Sequence, residues 1–227
     1  MVVSVYQPYF CPYPGFFYRM LKSDICVLMD AVQFPRGTTW TSRNRFKNDQ
    51  GTLWLTVPVF KKGRGFQSMD AVCIFRDGRW PRKHLASLRH AYAHAPFFWD
   101  HYPFLEAMIQ SGVQHLCDLN IPIIQYVAHY LRIRTDIRRL SNMALQGKGT
   151  ALLVDICRHT GAGQLLLPRS ARCHMDEAVL QKAGISLNTY RPPTWIYPQL
   201  WGDFLPNLSI FDMLFNVGPK SAELLRC

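Results

Sequence analysis

Residues 2–30 read VVSVYQPYFCPYPGFFYRMLKSDICVLMD, and the fold class turns on this stretch. Val2 to Tyr6 is a short β-prone run. The segment after it, Tyr6 to Tyr18, holds seven aromatic residues and three prolines. Pro8, Pro12 and Pro14 stiffen the chain there and exclude a helix through the loop. Gly15 to Lys22 has the pattern of a short helix. Ile25 to Met29 is a second apolar strand that ends on Asp30. Strand, loop, helix and strand in this order are the usual opening of an α/β fold. The expected architecture is a Rossmann-like, mostly parallel sheet flanked by helices.

The rest of the chain continues the alternation. Thr52 to Val59 reads as a strand, and Cys73 to Phe75 as a shorter one. A helical period runs from Trp80 through His84, Leu85, Leu88 and Tyr92 and stops at Ala95-Pro96. Helices are expected over Phe104 to Leu119 and over Pro122 to Leu131, then a strand over Ile133 to Ile137. Thr150 can cap a helix through His159, stopped by Gly161 and Gly163. Leu165 to Leu167 and Ile185 to Tyr190 read as strands with a helix, Asp176 to Ala183, between them. Leu208 to Phe215 reads as the last helix. There is no internal repeat and no linker, so residues 1–227 are taken as one domain. Residues 36–80 read as a basic insertion.

Hydrophobic residues make up 48% of the 227, enough for a sizeable core and too many for disorder. No apolar run approaches the roughly 18 residues that span a bilayer, and no signal-peptide pattern opens the chain. A cytoplasmic protein with no membrane span is expected. Seven widely spaced cysteines without a Cys-x-x-Cys pair indicate thiols rather than a zinc or redox motif. The net charge of +11 is uneven. Residues 36–89 carry twelve basic and three acidic side chains, while residues 1–35 balance. Such a stretch is either a solvated basic face or the contact surface for an anionic partner.

Several clusters of polar residues have the composition of reactive or binding sites. Gly147-Lys148-Gly149-Thr150 lacks the earlier glycine of a phosphate loop, which leaves at most an anion at a helix start. His90 and His94 can share a helix face, with His101 nearby, but no Glu or Asp sits between them and Cys73 is remote, so two surface histidines are expected rather than a metal site. Cys157 and His159 are two apart on a helix and do not face each other. Cys11, in the aromatic loop, is the better thiol. His84 could act as a general base near neutral pH with Lys83 beside it for an anion. The aromatic loop, with Tyr9 and the amide of Gln7, serves either as core or as a stacking surface for a base or sugar. Asp30, at a strand end, lines a ligand site or caps a turn.

Taken together, the segments resemble the WbqC-like family. The matching pieces are Gln7-Pro8 with Pro12 and Gly15-Phe16-Phe17, Asp30 to Phe34, Arg43-Asn44-Arg45, Trp54 to Val59, Trp80 with Lys83-His84, and Tyr92. Later come Thr150, Ile156-Cys157, Tyr197-Pro198-Gln199, Phe204, Pro206 to Ile210 and Asp212 to Gly218. Two positions depart from the family pattern. Tyr6 stands where a histidine usually precedes Gln-Pro, and Leu165 to Ser170 replaces a Tyr-Leu-Ser-Gly-like turn. The resemblance implies a transferase that forms an amide by moving an aminoacyl, glycyl-like group to a small-molecule amine. The donor would be anionic, either aminoacyl-tRNA or an acidic carrier protein, and no cofactor is implied. On this reading His84 is the base, Asn44 and Gln33 supply oxyanion donors, and Arg43, Arg45 and Lys83 contact the anion. Asp30 completes the catalytic set with Asp212, which would orient His84 or the amine. Ser209, Asp212 and Asn216 share one face of the last helix, and Tyr197, Gln199 and Asn207 join them in the substrate site. A nucleotide-dependent ligase or nucleotidyltransferase, and a non-catalytic RNA- or carrier-binding protein, are the alternatives.

Overall fold

A computed structural model of the chain describes residues 1–37 and 39–226. Its centre is a five-stranded parallel sheet. β1 (Val2–Tyr6) pairs with β2 (Ile25–Leu28) through the helix α1 (Pro14–Leu21). An antiparallel hairpin follows, β3 (Arg43–Asn48) and β4 (Gly51–Thr56). Three helices come next, α2 (Trp80–Tyr92), α3 (Phe98–Gln110) and α4 (Leu116–Tyr130). The chain returns to the sheet with β5 (Asp136–Arg139), α5 (Gly149–Thr160), β6 (Gln164–Pro168), α6 (Glu177–Lys182) and β7 (Ser186–Tyr190). It ends with α7 (Ile210–Val217) and α8 (Ser221–Leu224). The strand order is β5-β2-β1-β6-β7. The sheet therefore grows outward from β1 in one direction and then from β6 in the other, which is the doubly wound order.

Side chains on β2 show why both faces are covered. Cys26 and Leu28 pack with Phe16, Phe17 and Met20 of α1, while Ile25 and Val27 pack with Leu152, Leu153 and Ile156 of α5. Alternate residues point to opposite faces, so a strand apolar at every position needs a helix on each side. The larger core also takes in Phe46, Leu55, Val57, Met69, Val72 and Ile74. Residues 36–80 thus share the main core and do not stand apart as an inserted body, because their apolar side chains are buried with the helices.

Three elements differ from expectation. The strand β3, RNRFKN, was not foreseen because its charge masks the alternation that turns Asn44 and Phe46 inward. The break in the helical region falls at Gly112 (φ +75°), and Pro122 lies inside α4. Burial of Leu119, Ile123 and Ile124 there outweighs one lost backbone hydrogen bond. Cys73 to Phe75 forms single bridges, Cys73 to His115 and Ile74 to Val59, rather than a strand.

Candidate functional site

In a doubly wound sheet the crevice at the carboxyl ends of the strands opens where the strand order reverses. Here that point lies between β1 and β6, with α1 on one face and α5 on the other. A cavity of about 380 Å³ occupies it. Tyr6 at the end of β1, Tyr9 and Tyr13 of the following loop, and Phe16 and Arg19 of α1 form one side. Pro168 and Ser170 at the end of β6 form another, and Trp40, Asn44, Arg45 and Asn207 close the rim. A larger hollow, about 990 Å³, lies at the amino ends of β2 and β5 beside Ser23, Asp24 and Thr135. Its polar groups already serve the fold. Thr135 donates to the carbonyls of Met20 and Ser23, and Arg226 donates to those of Ala222, Leu131 and Arg132.

The loop over the switch point has many carbonyls and few N–H groups, because three of its residues are proline. Buried amides from distant elements satisfy it. Asn120 of α4 donates to the Pro8 carbonyl (2.7 Å) and to that of Thr41 (2.7 Å). Asn44 of β3 donates to the carbonyls of Phe10 (3.0 Å) and Cys11 (2.7 Å). Phe10 N donates to the Trp40 carbonyl, and Ile210 N, at the start of α7, to that of Pro12. Cys11 is held at φ +43°, a left-handed conformation that is costly for a side-chain-bearing residue. Its thiol is fully buried and burial pushes its pKa well up, so Cys11 is a core residue rather than a nucleophile.

Arg19 is the one buried cation in the cavity. It is 7% exposed, no carboxylate lies within ion-pair distance among the described residues, and its Nε has no hydrogen-bond partner. The guanidinium lies 3.5 Å from the centre of the Tyr6 ring and 5.8 Å from that of Tyr190. Arginine stays protonated even when buried. Aromatic faces offset part of the cost of desolvating it but do not neutralise it. The other charged lining residue, Arg45, is also basic, and among the described residues no Asp or Glu lines the cavity. Such a chamber is suited to a negatively charged group. Tyr190 donates to the Gly15 carbonyl (3.0 Å) and Tyr6 to that of Phe16 (2.8 Å), which fixes both rings about the arginine.

The expected site residues divide. Tyr9, Asn44, Arg45 and Asn207 line this cavity, with Gln7 half-buried immediately after β1. Asn44 is fully engaged, since its Oδ1 also accepts from Arg45 N, so it positions the loop and has no donor left for an oxyanion. Arg45 donates to the carbonyls of Pro206 and Asn207. Arg43 lies over the Trp54 ring in a neighbouring slot, Gln33 is exposed, and Lys83 is exposed on α2.

The three residues expected to be catalytic do not meet there. Asp30 is fully buried and accepts from Arg139 Nε (2.6 Å), Ser141 N and Ser141 Oγ, joining β2 to β5. Asp212 is fully buried in α7 and accepts from the hydroxyls of Tyr92 (2.7 Å) and Tyr197 (2.8 Å). His84 packs edge-on against Trp80, its Nδ1 is buried without a partner, and burial lowers its pKa to about 4. Asp212 therefore orients two tyrosines and not His84. The polar face of α7 is interior. Ser209 caps the helix by accepting from Phe211 N, and Asn216 donates to the Asp212 carbonyl. Gln199 is held by Lys47 Nζ and the Leu205 backbone.

Sequence reasoning missed Arg19 and Trp40; Tyr13 belongs to the aromatic loop read as core or stacking surface, and Ser170 to the turn that departs from the family pattern. The available signal for Arg19 was a single charge inside Phe16-Phe17-Tyr18-Arg19-Met20-Leu21, in the helix that follows the first strand.

Fold and cavity define an α/β protein of doubly wound order with an arginine-lined cavity at its switch point. The chain belongs to the WbqC-like protein family, whose model matches residues 7–224. One relative, the uncharacterized protein Rv1507c of Mycobacterium tuberculosis (strain ATCC 25618 / H37Rv), is 32% identical over 234 residues, covering 99% of this chain and 97% of the relative. No solved structure matches. Among the described residues, no helix is long and apolar enough to cross a membrane.

Proposed function

We propose that the chain is a transferase that forms an amide, moving an activated aminoacyl group from an anionic donor to a small-molecule amine at the β1/β6 switch point. The observation that carries this reading is Arg19, a buried cation with no acidic partner facing a cavity without acidic lining. A phosphate or carboxylate of a reactant would supply the missing counter-charge. The amine nitrogen attacks the acyl carbonyl, the N–C bond forms, the bond to the donor's oxygen or sulfur breaks, and that atom leaves with the amine's proton. Aminolysis of an activated ester depends mainly on holding the two partners in register, and the loop pinned by Asn44 and Asn120 supplies a rigid wall for that.

The test is product formation, followed by mass spectrometry, from aminoacylated donors and a panel of amines. Arg19→Met and Arg19→Lys are compared with the parent chain. Loss of roughly two orders of magnitude in Arg19→Met, partly restored in Arg19→Lys, is expected for a charge-assisted contact. Undiminished turnover in Arg19→Met would overturn the assignment. Consumption of a nucleoside triphosphate in the same assay would favour a ligase instead.

A further inference from the structure

Six of the large side chains left exposed are aromatic, and five of them, Trp40, Trp54, Phe60, Phe66 and Phe75, fall within residues 36–80. This is the stretch that holds most of the excess positive charge. Trp40 and Trp54 are 43% and 42% exposed, and their rings lie 5.7 Å apart at 28°. Trp54 stands opposite Arg45 across the hairpin, on the face of β3–β4 turned away from the core residues Phe46 and Leu55. Arg43 lies 3.6 Å from the centre of the Trp54 ring, and Arg45 lies 5.9 Å from that of Trp40. A slot of about 160 Å³ separates Thr39, Trp40, Arg43 and Trp54. The Nε atoms of Arg43 and Arg45 are buried without a hydrogen-bond partner. The pattern repeats beyond the hairpin, with Arg36 over Phe66 and Arg64 near Phe60. Lys61 donates to the Gly37 carbonyl and so ties that loop to the segment entering Trp40.

Trp54 on the outward face of β4 and Trp40 in the turn before β3 leave neighbouring apolar rings in water. Basic residues alone would serve any polyanion. Exposed rings interleaved with arginines suit a partner that carries both a negative backbone and flat, stackable groups, which an acidic carrier protein lacks. We infer that the outer face of the β3–β4 hairpin binds a single-stranded nucleic acid, stacking unpaired bases on Trp40 and Trp54 while the neighbouring arginines and lysines follow the phosphates. Trp40 and Arg45 also line the switch-point cavity, so a strand on this platform ends at the mouth of the pocket. The binding stands on these residues alone. Its assignment to the donor rests on the transferase reading and selects an RNA-borne donor over a carrier protein.

Fluorescence anisotropy of a labelled oligouridylate twelve-mer and its deoxythymidylate counterpart tests the platform with the full chain at two salt concentrations. The expected result is tight, salt-sensitive binding with quenching of tryptophan fluorescence. In Trp40→Ala/Trp54→Ala the affinity falls about ten- to hundredfold, while heparin binding and the melting temperature are unchanged. No oligonucleotide binding at low salt, equal binding by the double variant, or an acidic carrier protein that depends on the two tryptophans when oligonucleotides do not, would each overturn the inference. Arg19→Met separates the two readings. It leaves oligonucleotide binding intact while transfer falls by about two orders of magnitude, and RNA binding without any transfer by the parent chain would sink the transferase assignment alone.

Discussion

Single side chains in this protein work mostly by satisfying backbone that the prolines leave short of partners. Asn120 and Asn44 each bond two carbonyls, and in both cases one or both belong to the aromatic loop. Removing either leaves buried acceptors unpaired at a cost of about 1–3 kcal/mol. Asn120→Ala is therefore expected to lower the melting temperature by several degrees and to weaken ligand binding as the loop loosens, measured by calorimetry on the same preparation. Asp212 is of the same kind. An amide there can accept from one tyrosine hydroxyl through its oxygen, but its NH2 group faces the other as a second donor. Asp212→Asn should destabilise the fold by roughly 1–3 kcal/mol, whereas an orienting role for a catalytic base would spare stability. An unchanged melting temperature with lost activity would refute the structural role.

At the level of elements, the β1–α1 connection carries the site. Pro14 at the first turn needs no N–H partner there, and Gly15 lets the Tyr13 ring fold back over the helix start. A Cβ on Gly15 would lie 2.4 Å from the edge of that ring and 3.0 Å from Pro192. Accommodating that Cβ must move the Tyr13 ring and Pro192, so Gly15→Ala is expected to displace a pocket wall at the usual ~1–3 kcal/mol cost of overpacking. Affinity for an anionic probe such as inorganic phosphate should drop severalfold and the melting point should fall by several degrees. A variant that binds like the parent would show that Tyr13 is not part of the wall. The first strand, loop and helix were legible because their period and prolines are local. β3 was not, since three of its six residues are basic and only its pairing with β4 reveals the alternation.

For the whole molecule, burial of two histidines sets a pH dependence. His84 and His101 are both lowered to about 4, chiefly by desolvation. In the unfolded chain they titrate near 6.5, so their folded neutral forms contribute stability that is fully present above about pH 6.5. That stability is lost as pH falls through about 4, on the order of 3 kcal/mol for each ring. Asp212 acts in the opposite sense, because burial raises its pKa and the folded chain takes up that proton early. The melting temperature should fall between pH 6.5 and 4.5, and His84→Asn/His101→Asn should flatten the profile. A parent profile already flat over that range would contradict the assignment. The alternation of strands and helices, the aromatic loop after the first strand, the basic middle segment and the family are legible along the chain, since these depend on neighbours in sequence. That Arg19 faces a cavity without a carboxylate, that Asp30 and Asp212 are spent on internal partners, and that the Trp40 and Trp54 rings meet becomes visible in three dimensions alone. The cost of a buried charge depends on what surrounds it in space, and residues far apart along the chain supply those surroundings.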